Sequence, residues 1–180
     1  MIINETYQYI LWDMSLRGGC AYNEEEARDM LGFSDFWDVV RPQWMPDYTR
    51  ETFSATIGAI DIKMMRTKHI PDSSSDWQSS FWSCGVIIDD RVMFTSDTRY
   101  DEDLVLSYDK RFNFEAIFHD CQFYTGGVHA SLEELKNLPA DVKKKMYLSH
   151  YNDNWEEFEG TVREYGFADL AKQHVYYAFP

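Results

Sequence analysis

Histidine occurs at only five positions in this chain, 69, 119, 129, 150 and 174. Three of the five stand at or just past the end of an apolar run or a glycine pair. Val92–Phe94 ends in Thr95-Ser96-Asp97-Thr98, and Phe114–Phe118 ends in His119-Asp120. Met146–Ser149 ends in His150, and Gly126-Gly127 leads to His129. Imidazole and carboxylate groups bind divalent metals, and imidazole also carries protons near neutral pH. Buried α/β sheets place such groups where strands end and loops open, so the stretch from Gly85 to His150 is the candidate site.

Each residue also has a plainer reading. Asp97 could cap the turn that follows its strand. His150 could be a satisfied, partly buried histidine, and His129 a turn residue after two glycines. His119-Asp120 reads first as a structural pair that orients a strand end. His174 reads as solvent-facing, Cys84 and Cys121 as core residues, and Lys143-Lys144-Lys145 as a solvated helix end.

The elements that must position these groups follow from local pattern. Apolar spacing predicts a helix over Glu5–Leu16, stopped by Arg17-Gly18-Gly19. Asn23 should cap a short acidic helix from Glu24 to Leu31, and Ser34–Trp37 another turn of helix. Residues 41–47 read as a loop, and Thr52–Ile60 and Ile60–Thr67 as two strands around Gly58. The serine-rich run from Ile70 to Ser80 is long for a connection, as functional loops are. Val86–Ile88 and Val92–Phe94 form a hairpin around Asp89-Asp90. Tyr100–Tyr108 is a helix, and Ser131-Leu132-Glu133-Glu134 has the capping-box pattern for another. A helix over Trp155–Tyr165 and a closing strand over Val175–Phe179 complete an α/β pattern.

Length and composition bound the rest. The 180 residues suffice for one domain, residues 1–180, with a helical segment over 1–50 and sheet, helices and site residues over 51–180. Apolar residues at 44% and aromatics at 17% argue against disorder. A net charge of -14 argues against a general basic surface for nucleic acid, though not against a site where a metal brings positive charge. Three cysteines without a CxxC, no long apolar run and no basic-then-apolar start predict a reduced, cytoplasmic protein without a membrane span.

Six segments in order, KHIPD, GVIIDDRVMFTSDTR, EAIFHDCQF, GGVHASLEEL, KKKMYLSHYND and EYGFADLAKQHVYYAF, carry a resemblance to the C-terminal half of metallo-β-lactamase-fold hydrolases, in their ribonuclease Z-like and phosphodiesterase branch. The resemblance implies an α/β fold: half, or a remodelled version, of an αββα sandwich, with a mixed sheet flanked by helices. It implies that Asp97 bridges metals, that His69 and His150 are metal ligands, and that His129 donates a proton near a phosphate. Asp120 stands where that branch has a glutamate. It implies a divalent metal, zinc first with manganese or iron as alternatives, and a phosphodiester or nucleotide substrate. The family's His-x-His-x-Asp-His signature is absent, and no histidine precedes His69. Two ligands per metal would be too few for tight binding. The expected partner is therefore a second copy in a homo-oligomer, or a separate chain carrying the N-terminal half. The first functional expectation is a metal-dependent hydrolase with His129 and Asp97 as catalytic groups. The alternative is a non-catalytic relative acting as a binding or assembly subunit.

Overall fold

The computed structural model describes residues 1–25 and 29–179. It opens with α1 (Glu5–Leu11), which runs through a π-helical turn, Trp12–Leu16, into α2 (Arg17–Cys20). Asn4 caps α1 by accepting a hydrogen bond from the Tyr7 amide. The chain winds on through Gly18 and Gly19, so these glycines are not the expected stop. The helix expected from Glu24 to Leu31 has its centre, residues 26–28, outside the described residues. Its flanks are not helical: Glu24 and Glu25 lie in a bend, and Met30 bridges back to Tyr22. A short α3 (Phe33–Phe36) follows.

Eight strands then form one sheet in sequence order: β1 (Gln43–Trp44), β2 (Thr52–Ile57), β3 (Ile60–Arg66), β4 (Cys84–Ile88), β5 (Val92–Phe94), β6 (Ala116–Asp120), β7 (Met146–Ser149) and β8 (Asp169–Leu170). The first five pair antiparallel and β5 to β8 pair parallel. Asp89 and Asp90, both at positive φ, make the tight turn between β4 and β5. Each parallel step is a crossover: α4 (Glu102–Phe112) between β5 and β6, α5 (Leu132–Leu135) and α6 (Ala140–Lys143) between β6 and β7, and α7 (Glu159–Glu164) between β7 and β8.

These helices cover one face of the sheet. Met65, Ile87, Met93, Ile117 and Leu148 point to that face and join Leu104, Val105, Tyr108, Leu135 and Val162 in the main core. A smaller core of Ile3, Trp12, Ala21 and Phe33 belongs to the N-terminal helices. Buried Arg50 ties the start of β2 to the start of α4 through Asp101 at 3.0 Å and Asp103 at 3.1 Å. Burial alone would raise the Asp101 carboxyl, but the hydrogen bonds and charge of Arg50 hold it below the usual range.

The α/β class and the mixed sheet flanked by helices match expectation. The finer part of the expectation, that this sheet is half or a remodelled version of a metallo-β-lactamase αββα sandwich, is not supported: the named strands form one eight-stranded mixed sheet. The expected closing strand over Val175–Phe179 is not a strand: that tail lies against Phe118 and Tyr147 through Tyr177 and Phe179, and the last strand is β8. β6 starts two residues later than expected and ends at Asp120. That shift matters for the site, because it puts His119 and Asp120 on the strand itself.

Candidate functional site: a histidine and carboxylate cluster at the sheet edge

β5, β6 and β7 run parallel, and β3 shares their direction because two antiparallel steps separate it from β5. Four strands therefore end at one edge. His69 lies three residues past β3, Asp97 three past β5, Asp120 is the last residue of β6, and His150 is the first past β7. His129 comes from the loop between β6 and α5. Side chains that are 81 residues apart in sequence meet because the topology stacks strand ends.

Asp120 is the centre of the cluster. Its side chain is 1% exposed. Oδ2 accepts from the Thr98 backbone N–H at 2.8 Å and from His129 Nδ1 at 2.7 Å, and Oδ1 accepts from His150 Nδ1 at 3.1 Å. A buried carboxylate with three donors is well satisfied, and it orients both rings. Asp97 is half exposed and lies between His69 and His150, with Oδ2 at 3.9 Å from His69 Nε2 and Oδ1 at 3.8 Å from His150 Nδ1. His69 donates from Nδ1 to the Val128 carbonyl at 2.9 Å, which fixes its tautomer and leaves the Nε2 lone pair facing Asp97. Ring centroids stand 5.1 Å apart for His69 and His129 and 4.6 Å for His129 and His150. Asp120, His129 and His150 offer ligand atoms all within 4.8 Å of one another.

Backbone geometry at the edge is unusual. Ser96 (φ 54°) and His150 (φ 61°) are non-glycine residues in the left-handed region. Each costs about 1–2 kcal/mol and persists only where the surroundings fix it, as strand ends at functional sites do.

The site opens two ways. Asp97 and His69 line a cavity of about 390 Å³ whose other walls include Tyr7, Phe53, Trp82 and Cys84. His150 faces a second hollow of about 590 Å³ with Tyr151, Trp155 and Lys172. Burial pushes the Cys84 thiol up to about 11, with nearby Arg66 opposing, so it stays a protonated wall residue.

The four residues singled out from sequence, His69, Asp97, His129 and His150, do come together. His119-Asp120 was read first as a structural pair orienting the strand end, and the two do pair, through the Asp120 backbone carbonyl rather than its carboxylate. His119 turns to the core side, fully buried, and donates from Nδ1 to the Asp120 carbonyl at 2.7 Å. The Asp120 carboxylate points to the opposite side of the strand. Strand alternation carries this signal, provided the strand is run on to residue 120.

Fold and site together define a mixed-sheet α/β protein with a histidine–carboxylate cluster at the C-terminal edge of its parallel strands. A family model described as Anti-Pycsar protein Apyc1 matches residues 1–177. Curated proteins named Anti-Pycsar protein Apyc1 are similar along most of the chain. The one from Bacillus phage BSP38 is 35% identical, over 88% of this chain and 58% of that protein. The one from Paenibacillus harenae is 34% identical, over 89% and 58%, and the one from Bacillus phage vB_BsuM-Goe3 is 31% identical, over 97% and 65%. The chain belongs to the Anti-Pycsar protein Apyc1 family. It spans about three fifths of the length of the curated relatives it matches.

This finding corrects the reading by resemblance. The matching family is Anti-Pycsar protein Apyc1 rather than the metallo-β-lactamase-fold hydrolases, and the phosphodiesterase or nuclease activity drawn from that resemblance falls with it. The resemblance rested on short strand-end motifs, and a strand end carrying Asp or His is a local pattern that does not by itself fix a family or a reaction.

Proposed function

We propose that this chain takes part in the function its relatives' name states, opposing Pycsar, and that it does so as a cation-dependent binding subunit. The observation that carries this reading is the convergence of His69, Asp97, Asp120, His129 and His150 on one sheet edge. It extends the second of the two sequence readings, that of a binding or assembly subunit.

The donor chemistry fits a divalent metal. Imidazole nitrogens with carboxylate oxygens suit zinc, manganese and iron. His69, Asp97 and His150 would hold the ion. The hydrogen bond from His69 to the Val128 carbonyl is the kind of outer contact that orients a metal-binding imidazole. Asp120 has both oxygens engaged already, so its part is to hold the His129 and His150 rings in place. When bound, the ion supplies a positive centre in a chain of net charge -14, and an anionic ligand is drawn to it. His129, partly buried and held by Asp120, is placed to hydrogen-bond such a ligand.

The test is made in cells that carry Pycsar. Expression of the chain should lower the Pycsar response, and His69→Ala with His150→Ala should abolish that effect at equal protein level. A double variant that opposes Pycsar as fully as the natural chain would contradict the cation-dependent role. No effect of the natural chain, at good expression, would contradict its acting alone.

A further inference from the structure

The loop that carries His129 has no regular structure. Residues 123–129 form an irregular stretch between β6 and α5, and among the described residues no backbone-to-backbone hydrogen bond holds any of them. The ends are pinned: the Gln122 N–H donates to the Ala130 carbonyl at 2.8 Å, and the Leu132 N–H donates to that of Gln122 at 2.9 Å. Between the pins, Tyr124, Thr125, Gly126 and Gly127 are exposed. This loop nevertheless supplies two fixed points of the cluster. One is the His129 ring, and the other is the Val128 carbonyl that accepts from His69.

One side chain holds the middle of the loop from beneath. Gln122 is 3% exposed. Its Nε2 donates to the Tyr124 carbonyl at 3.0 Å and to the Gly126 carbonyl. An amide nitrogen carries two hydrogens, so both are used, and the two carbonyl acceptors identify that end as nitrogen. The amide lies under Gly127, where an added Cβ would stand 3.7 Å from Oε1 and 3.8 Å from Nε2. Oε1 is buried and has no hydrogen-bond partner. Burying an acceptor in that way is costly, and an apolar side chain would fill the space without the cost. The two N–H donors are what an apolar residue lacks.

We infer that Gln122 is a positioning residue of the site. Its two N–H groups set the path of the 123–128 loop. The loop in turn places His129 against Asp120 and the Val128 carbonyl against His69. The importance of this placement rests on the cluster being the site proposed above, whereas the placement itself does not.

Two substitutions test it. Gln122→Glu keeps the size and turns the donor end into an oxygen facing two carbonyl oxygens. Gln122→Met removes the donors without adding charge, and keeps the test open should the glutamate variant not fold. The readout is the nitrogen-15 spectrum of the imidazoles in the full chain without added metal, at about pH 8, where an ordinary imidazole is neutral. In the natural chain His69 and His129 should each show a single Nδ1–H tautomer. In either variant both should become mixtures of the two tautomers, while His150, held by Asp120 from β7, keeps its own. A folded variant in which His69 and His129 retain their tautomers, even one that melts lower, would overturn the inference. Loss at all three histidines would overturn it too, since the fault would then lie at Asp120 and not in the loop. These spectra need neither cation nor Pycsar, so a failed cation-dependent role shows in the cell assay and a failed loop assignment shows here.

Discussion

At the scale of single residues, neighbours on β6 do opposite jobs. Asp120 lies on the opposite side of the strand from His119, buried and accepting three hydrogen bonds. His119 faces the core, where burial holds its pKa below the ordinary value near 6.5, and its Nε2 has no hydrogen-bond partner. A neutral imidazole leaves only an acceptor lone pair there, whereas a protonated one would strand a buried N–H donor and a charge. The sign of the linkage follows. Below about pH 6.5 the unfolded chain takes up a proton that the folded chain refuses, so stability is full above that pH and falls as pH drops toward the folded pKa. Melting curves from pH 7.5 to 5 should show this decline, and His119→Asn should flatten it relative to the natural chain. Equal slopes for both proteins would assign the acid sensitivity elsewhere. The roles of His69, Asp97, His129 and His150 as neighbours were legible from their positions past apolar runs. The centrality of Asp120 was not, because it depends on β6 running two residues further than its apolar run suggests.

At the scale of elements, the site is a product of strand direction. β3, β5, β6 and β7 end together only because the β4–β5 hairpin is tight and the crossovers are right for parallel pairing. Gly85 on β4 shows how closely this part is packed. A Cβ there would stand 2.9 Å from the Phe94 carbonyl and 3.0 Å from that of Thr95, and would overlap the Met65 methyl. Backbone oxygens do not move aside as a side-chain tip does. Gly85→Ala should therefore cost about 1–3 kcal/mol. That corresponds to a fall of about 2–4 °C in melting temperature per kcal/mol for a chain of this size. An unchanged melting temperature would mean that β4 and β5 yield more than their register implies. The hairpin, the capped helix at Ser131 and the strands over residues 52–66 were readable from turn residues and alternation. The tail over Val175–Phe179 was misread as a strand because aromatic, β-prone residues also suit packing on a sheet face. No local pattern distinguishes the two.

At the scale of the whole molecule, helices cover one face of the sheet, and Ile60, Ile88 and Phe94 on the other are exposed. Strand-end motifs, short as they are, suggested a hydrolase family, and similarity along residues 1–177 replaced it with the Anti-Pycsar protein Apyc1 family. Among the described residues no helix is long and apolar enough to cross a membrane. What unites the scales is the claim that the sheet edge is a cation site. Its most direct test is the metal content of the purified chain after equilibration with zinc and removal of free ion. Near-stoichiometric metal is predicted for the natural chain, lost in Asp97→Ala and in His150→Ala, with a melting temperature that falls in chelator only for the natural chain. A natural chain that retains no metal and melts unchanged in chelator would contradict the account.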